Sequence, residues 1–229
     1  MEHQHIPATP VAPQEAEPSS LILILTLAVA GFFSGLILVV AYFSTLPIIE
    51  QNKEEALQEA IYRVVPGCRS YEVLVLKNDR LEKAQGEEAK KGDRIFLGYD
   101  EKKSVVGFAI PASEPGFADV IKIIYGYQAD GKIIVGFEVL ENKETPGLGD
   151  KIIKDKNFVA NFKALSVEPE IEAAKTGKKT KPNQVETITG ATISSKAVIR
   201  ALQKAMTRWQ TAIDDYMQQN NLTYNPKQP

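Results

Sequence analysis

The chain has one cysteine, Cys68, so it closes no disulfide within itself, and it contains neither a CxxC pair nor a Cys/His cluster. Cys68 reads as a small packed residue after the Pro66-Gly67 turn. Histidine is nearly absent too. His3 and His5 stand near the start in a polar context, which argues against zinc or haem chemistry resting on histidine, and no metal site is expected. There is no excess of positive charge: 27 Lys and Arg against 29 Asp and Glu give a net charge of -2, so the electrostatic footprint of a nucleic-acid binder is missing. No GxGxxG fingerprint is present, which excludes an independent dinucleotide site of that kind. Gly177-Lys178-Lys179-Thr180 lacks the glycine a P-loop needs five positions earlier, where Glu172 stands, and no apolar strand precedes it. It reads as an exposed basic loop.

The most informative absence is local. From Ser20 to Leu46 there is no charged residue, and a helix needs about 20 apolar residues to cross the hydrocarbon core. The run is too long for the apolar region of a signal peptide and has no basic segment before it, so residues 20–46 are expected to form an uncleaved transmembrane anchor. Tyr42 and Phe43 fall near its end, where an interfacial belt places aromatics. Gly31 and Gly35 form a GxxxG face, which reads equally as a surface for close packing against membrane partners or as helix glycine without a partner. Residues 1–19, rich in Pro, Ala, Glu and Gln, read as a disordered tail.

Beyond the anchor, residues 47–66 read as a connecting helix, with Ile49, Leu57, Ile61 and Val64 at helical spacing and Pro66-Gly67 ending it. Strands are expected over 71–76, 94–99, 104–110, 120–127 and 132–140. Ala129-Asp130-Gly131 marks a hairpin between the last two, and Pro115-Gly116 a turn ahead of them. Residues 77–93 read as a charged loop with some helix, 154–165 as a short helix carrying Phe158 and Phe162, and 167–184 as a polar connection. A long final helix over 194–219 carries Val198, Leu202, Ala205, Trp209, Ile213 and Tyr216 as one apolar stripe, with Trp209 a core anchor. The fold class is therefore α+β: one N-terminal transmembrane helix followed by one mixed α+β domain.

Two segments ask for more than structure. Glu144-Thr145-Pro146-Gly147-Leu148-Gly149-Asp150-Lys151 surrounds a Pro-Gly turn with an acid, a hydroxyl and a base. Glu186-Thr187-Ile188-Thr189-Gly190-Ala191-Thr192-Ile193-Ser194-Ser195 gathers hydroxyls and small residues at the start of the last helix. There a helix dipole and free N–H groups favour a phosphate, although Thr192 or Ser194 as an ordinary helix cap accounts for the same letters.

Together, and in this order after a hairpin, the two segments resemble the FMN-binding domain found in the G component of Rnf-type electron-transport complexes and in its relative, the C component of the sodium-pumping NADH:quinone reductase. The resemblance runs from the anchor to the last helix and is strongest over 115–202. In that family the pattern Asp-x-x-(Ser/Thr)-Gly-Ala-Thr receives FMN on its last threonine. The resemblance implies FMN joined by a phosphodiester to Thr192, with Thr189, Gly190 and Ala191 shaping the approach; Glu186 stands where the pattern has Asp. The ETPGLG loop matches unchanged over 144–149 and places Glu144, Thr145, Leu148, Gly149 and Lys151 around the flavin.

The implied FMN-binding domain covers residues 67–225. The implied function is electron relay within an ion-translocating NADH/ferredoxin oxidoreductase complex, with no independent catalytic residues. Implied partners are the complex's integral-membrane and redox subunits and a flavin transferase for maturation; no nucleic acid is expected. The anchor length and short N-terminal extension favour the Rnf-type protein over the quinone-reductase one. Lys53 and Arg63 after the span lean toward a cytoplasmic domain, whereas the resemblance implies a single-pass protein of the cell inner membrane with its domain on the extracytoplasmic side. The competing readings are a membrane-anchored assembly or binding module without flavin, and a stand-alone reductase using a soluble donor.

Overall fold

A computed structural model describes residues 19–86, 88–90 and 92–224. The expectation of a tail over 1–19, His3 and His5 included, thus falls outside the described residues except for Ser19. The chain forms two compact units, 1–52 and 53–229.

Helix α1 (Ser20–Val64), which belongs to the first unit as far as Asn52 and to the second from Lys53, begins with a stretch long and apolar enough to cross a membrane. Three hydroxyls in it turn back onto the helix: Thr26 donates to the Ile22 carbonyl at 2.7 Å, Ser44 to Val40 at 2.7 Å and Thr45 to Ala41 at 2.9 Å, which spares these three an unpaired O–H in a surrounding apolar medium. Pro47 lies inside the helix, where it withdraws one i→i−4 hydrogen bond just past the apolar run. The anchor and connecting segments expected from sequence are thus parts of one helical element.

The second unit is built on an antiparallel seven-stranded sheet. Its strands are β1 (Ser70–Lys77), β2 (Arg80–Lys83), β3 (Arg94–Tyr99), β4 (Val105–Pro115), β5 (Val120–Gln128), β6 (Ile133–Glu141) and β7 (Leu165–Ser166), in spatial order β2-β1-β3-β4-β5-β6-β7. Alternation along the strands splits the core in two. Ile95, Leu97, Phe108, Ile110, Ile123 and Tyr125 face the larger cluster under the last helix, α4 (Thr192–Gln219), while Phe96, Ala109 and Ile124 join Ala60, Ile61 and Val64 from the end of α1 and Val65 just after it. All six residues of the expected α4 stripe are buried. Glu114 at the end of β4 holds α4 in place through Lys204 (2.7 Å) and Arg200 (3.1 Å), and these bonds keep its carboxyl below the ordinary range.

Gly126 and Gly136 are cross-strand partners in β5 and β6, and between them they receive the Val64 carbonyl. A Cβ on Gly126 would lie 1.9 Å from that oxygen, and one on Gly136 2.3 Å from it. The obstacle is backbone, so relief requires moving the helix end. Gly126→Ala is expected to cost about 3 kcal/mol, on the order of 10 °C in Tm for a domain of this size, measured by thermal denaturation of the purified protein.

Several elements differ from the sequence expectation. Residues 77–93 contain β2, which pairs with β1 through Asn78 and Asp79 at φ 49° and 61°. These two residue types tolerate the left-handed turn, but only Leu81 in β2 is buried, so alternation gave no signal. β4 continues through Pro111 to Pro115. The helix expected over 154–165 is two short ones, α2 (Lys151–Lys154) and α3 (Lys156–Ala160). Asp155 separates them because its carboxylate accepts from Asn157 N (2.9 Å) and Phe158 N (3.2 Å), capping α3. The polar 167–184 segment carries β8 (Glu172–Ala174), which pairs in parallel with β9 (Gln184–Glu186).

Candidate functional site

β6 delivers the chain into a loop that begins at Asn142 and turns back into α2; its centre is Glu144, which is buried. Oε1 of Glu144 accepts from Phe117 N and Ala118 N, each at 2.9 Å, in the turn between β4 and β5. Oε2 accepts from the Ser194 hydroxyl at 2.6 Å. One carboxylate thus clasps three segments: the β4–β5 turn, its own loop and the first turn of α4. Glycines make room for it. A Cβ on Gly116 would lie 2.4 Å from Oε1, and one on Gly149 would lie 2.3 Å from Oε2 and 2.8 Å from Ser194 Oγ. Burial opposes the charge, but the Ser194 hydroxyl and the backbone donors outweigh it and hold the carboxyl below the usual glutamate range.

The rest of the loop is folded by Asp150, whose Oδ1 accepts from Gly147 N at 2.7 Å and whose other oxygen pairs with Lys154. Gly147, at φ 80°, supplies the left-handed position of the turn. Thr145 and Leu148, bridged by Leu148 N to Thr145 O at 3.1 Å, are exposed.

The plain alternative for these letters, a helix cap by Thr192 or Ser194, is not what the chain adopts. Ala191 occupies the N-cap position and no side chain caps the helix. Ser194, a natural candidate, gives its hydroxyl to Glu144 instead. Ser195 is turned inward: its Oγ donates to Ala191 O at 2.8 Å and accepts from Ile188 N at 3.1 Å. It thereby closes the Thr189-Gly190 turn, where Gly190 has φ 84°. Thr192 is left exposed, with a long 3.4 Å contact from its hydroxyl to Ile188 O. Thr189 is exposed as well, its hydroxyl 3.2 Å from that of Thr176.

The two segments singled out in the sequence therefore meet. Gly149 and Glu144 touch Ser194, and the Lys151 ammonium lies 3.8 Å from where a Cβ of Gly190 would be. Sequence reasoning marked the turn at Pro115-Gly116 but missed that its Phe117 and Ala118 N–H groups serve Glu144, a backbone contribution with no signature letter. It also missed Thr176, which donates to Thr187 O at 2.6 Å.

Chemically, the start of α4 offers uncapped N–H groups, the positive end of a 28-residue helix and a nearby ammonium, all of which favour an anion. Around the clasp, Phe117, Leu148 and Ile193 are 68%, 51% and 52% exposed. Each is at or next to a residue of the Glu144–Ser194–Gly149 assembly, so apolar surface borders the anion-favouring helix end. A molecule with a phosphate and a large flat apolar ring fits that pairing.

A family model described as FMN-binding domain matches residues 116–207. The chain is similar to the G component of the ion-translocating oxidoreductase complex of Aliivibrio fischeri MJ11, at 32% identity over 199 residues covering 82% of this chain and 89% of that one. It is similar also to the component of the same description in Methanosarcina acetivorans, at 29% identity, covering 80% and 91%. Among solved structures, NqrC of Shewanella oneidensis superposes with a TM-score of 0.60 at 15% identity over 75% of this chain and 99% of its own. The C component of the Na(+)-translocating NADH-quinone reductase of Parabacteroides distasonis gives 0.55 at 19% identity, covering 69% and 92%; at these identities the likeness is one of fold. With Glu144, Lys151, Thr192 and Ser194 all inside the matched FMN-binding domain, the chain belongs to the family of G components of ion-translocating oxidoreductase complexes.

Proposed function

We propose that this chain is a membrane-anchored flavoprotein subunit that carries FMN covalently on Thr192 and relays electrons within an ion-translocating oxidoreductase complex. The observation that carries the reading is the exposed Thr192 hydroxyl at the uncapped start of α4, with every neighbouring hydroxyl of the motif engaged elsewhere.

In the loading step a flavin transferase supplies FAD. The Thr192 Oγ–P bond forms and the diphosphate P–O bond breaks. AMP leaves with the bridging oxygen, and the hydroxyl proton goes to the departing phosphate or solvent. A threonine hydroxyl is a weak nucleophile, and activation comes from the transferase. This chain's share is presentation. Gly190 and Ala191 keep the approach to Thr192 open, Ser195 fixes the turn before it, and the Glu144–Ser194 bond fixes the helix that bears it. The free N–H groups of α4 and the Lys151 ammonium would face the negative charge of the phosphodiester. Thr145 and Leu148, with Phe117 and Ile193, would border the ring. FMN supplies one- and two-electron transfer; the protein sets its orientation and surroundings.

A covalent tether suits a domain on the extracytoplasmic side of the cell inner membrane, where a dissociated cofactor is lost, and the apolar part of α1 holds the chain there as a single-pass protein. Partners are the integral-membrane and redox subunits of the complex. A flavin-fluorescent band that survives denaturing electrophoresis, in a chain expressed with a transferase, tests the attachment; a dark band leaves an assembly module without flavin. A periplasmic reporter fused after Pro229 that stays inactive while a cytoplasmic one is active overturns the sidedness.

Leu148→Asp is expected to leave the attachment intact and to lower the midpoint potential of the flavin, since a carboxylate beside the ring opposes added electrons. Spectroelectrochemical titration reads the shift, and an unchanged potential removes Leu148 from the ring's surroundings.

A further inference from the structure

The loop between β8 and β9 carries Lys175, Lys178, Lys179 and Lys181 within seven residues and no acid, on a chain of net charge -2. All four are exposed. Lys181 pairs with Glu172 at 3.4 Å, whereas no ion pair of Lys175, Lys178 or Lys179 exists among the described residues. Like charges so close repel one another, yet the backbone holds them together. Lys178 N donates to Lys175 O at 2.9 Å across a turn with Gly177 at φ 72°. Thr180 N and Lys181 N donate to Gln184 Oε1 at 2.9 and 3.2 Å. Lys179 N donates to the Glu186 carboxylate at 3.1 Å.

The loop is also fastened to the segment that precedes Thr192. Thr176, between Lys175 and Lys178, donates its hydroxyl to Thr187 O at 2.6 Å and sits 3.2 Å from the Thr189 hydroxyl. Thr187 N in turn donates to Ala174 O at 2.8 Å. The lysine turn therefore lies against Thr187–Thr189. The Lys151 ammonium, beside Gly190, adds a further positive charge contributed by the other motif.

We propose that Lys175, Lys178 and Lys179 form a phosphate-recognition surface for the flavin nucleotide at Thr192, and that Glu186 is a positioning residue that pins this loop. The proposal rests on FMN binding at Thr192 and extends it to the groups that tell a phosphorylated flavin from an unphosphorylated one. Glu186 uses its carboxylate as a hydrogen-bond acceptor for the loop, so the role needs an acceptor oxygen on a side chain of that length and not a base.

The test uses the full-length chain in detergent with Thr192→Ala, so that binding is reversible, and titrates FMN and riboflavin separately by fluorescence quenching. Lys175→Gln/Lys178→Gln/Lys179→Gln is expected to weaken FMN by about tenfold at low ionic strength, with the difference fading as salt screens it, and to leave riboflavin unchanged. Glu186→Ala is expected to weaken FMN alone, and Glu186→Gln, which keeps the acceptor oxygen, to restore it. Equal FMN affinity with and without the lysines overturns the proposal, as does an equal loss for riboflavin. Failure of the lysine-bearing chain to bind either flavin sinks the FMN reading and this proposal with it. Lysine variants that bind FMN normally but lose co-purifying subunits reassign the loop to an acidic protein partner.

Discussion

Thr192→Ala is expected to abolish covalent flavin while leaving the domain as stable as before. The flavin-fluorescent band on a denaturing gel goes dark, and intact-mass measurement shows the unmodified polypeptide. The two halves of this expectation come from the same geometry. Thr192 is exposed and its hydroxyl makes one long contact, so removing it changes stability within about 0.5 kcal/mol. Thr192→Ser keeps an exposed hydroxyl at the same helix position and is expected to keep the band. A Thr192→Ala chain that still fluoresces after denaturation moves the attachment elsewhere, and the exposed Thr189 and Thr145 are then the hydroxyls to replace next.

Glu144→Ala is expected to produce the opposite pattern, a large loss of stability with the acceptor residue intact. The substitution leaves Phe117 N, Ala118 N and the Ser194 hydroxyl without their shared partner and opens space between Gly116 and Gly149. Unsatisfied buried donors to a charged acceptor cost about 3 kcal/mol in total, on the order of 10 °C in Tm. With the first turn of α4 released from the loop, the yield of covalent flavin falls as well. Glu144→Gln is milder, because its carbonyl oxygen still accepts from the backbone and the Ser194 hydroxyl can turn to accept from the amide.

The acid response separates the two forms. The folded-state pKa of Glu144 is depressed, so its contribution is full above the unfolded-state value and is lost as pH falls through the folded one. The wild type therefore sheds this stability below about pH 4, and Glu144→Gln has a flatter acid limb in denaturant titrations run across that window.

Much of this arrangement was legible in the letters. Alternating β-rich runs marked β1, β3, β5 and β6; Asp130-Gly131 marked the hairpin between the last two; and six apolar residues at helical spacing marked the buried side of α4. The two motif segments were visible as well, and the structure brings them into contact. What escaped has a common physical cause. β2, β7, β8 and β9 are two to four residues long, too short for any periodicity to rise above composition. The donors on Glu144 include backbone N–H groups, which every non-proline residue has and no letter advertises. Ser194 looked like a helix cap from local sequence because its actual partner lies 50 residues away. Local rules assigned the hydroxyl to the nearest free N–H, and a distant carboxylate took it.

That same distance bears on the order of assembly. The Glu144 carboxylate closes gaps of 27 residues to Phe117 and 50 to Ser194, and contacts so far apart in sequence bear their loop entropy before they return any stability. The clasp consequently follows the local β4–β5 and β5–β6 hairpins and closes together with the docking of α4, whose bonds to Glu114 span 86 and 90 residues. Thr192 reaches its final register only in a chain that has finished folding. A flavin fixed there would then serve as a certificate of maturity, withheld from nascent or misfolded copies by the chain's own topology without any separate proofreading factor.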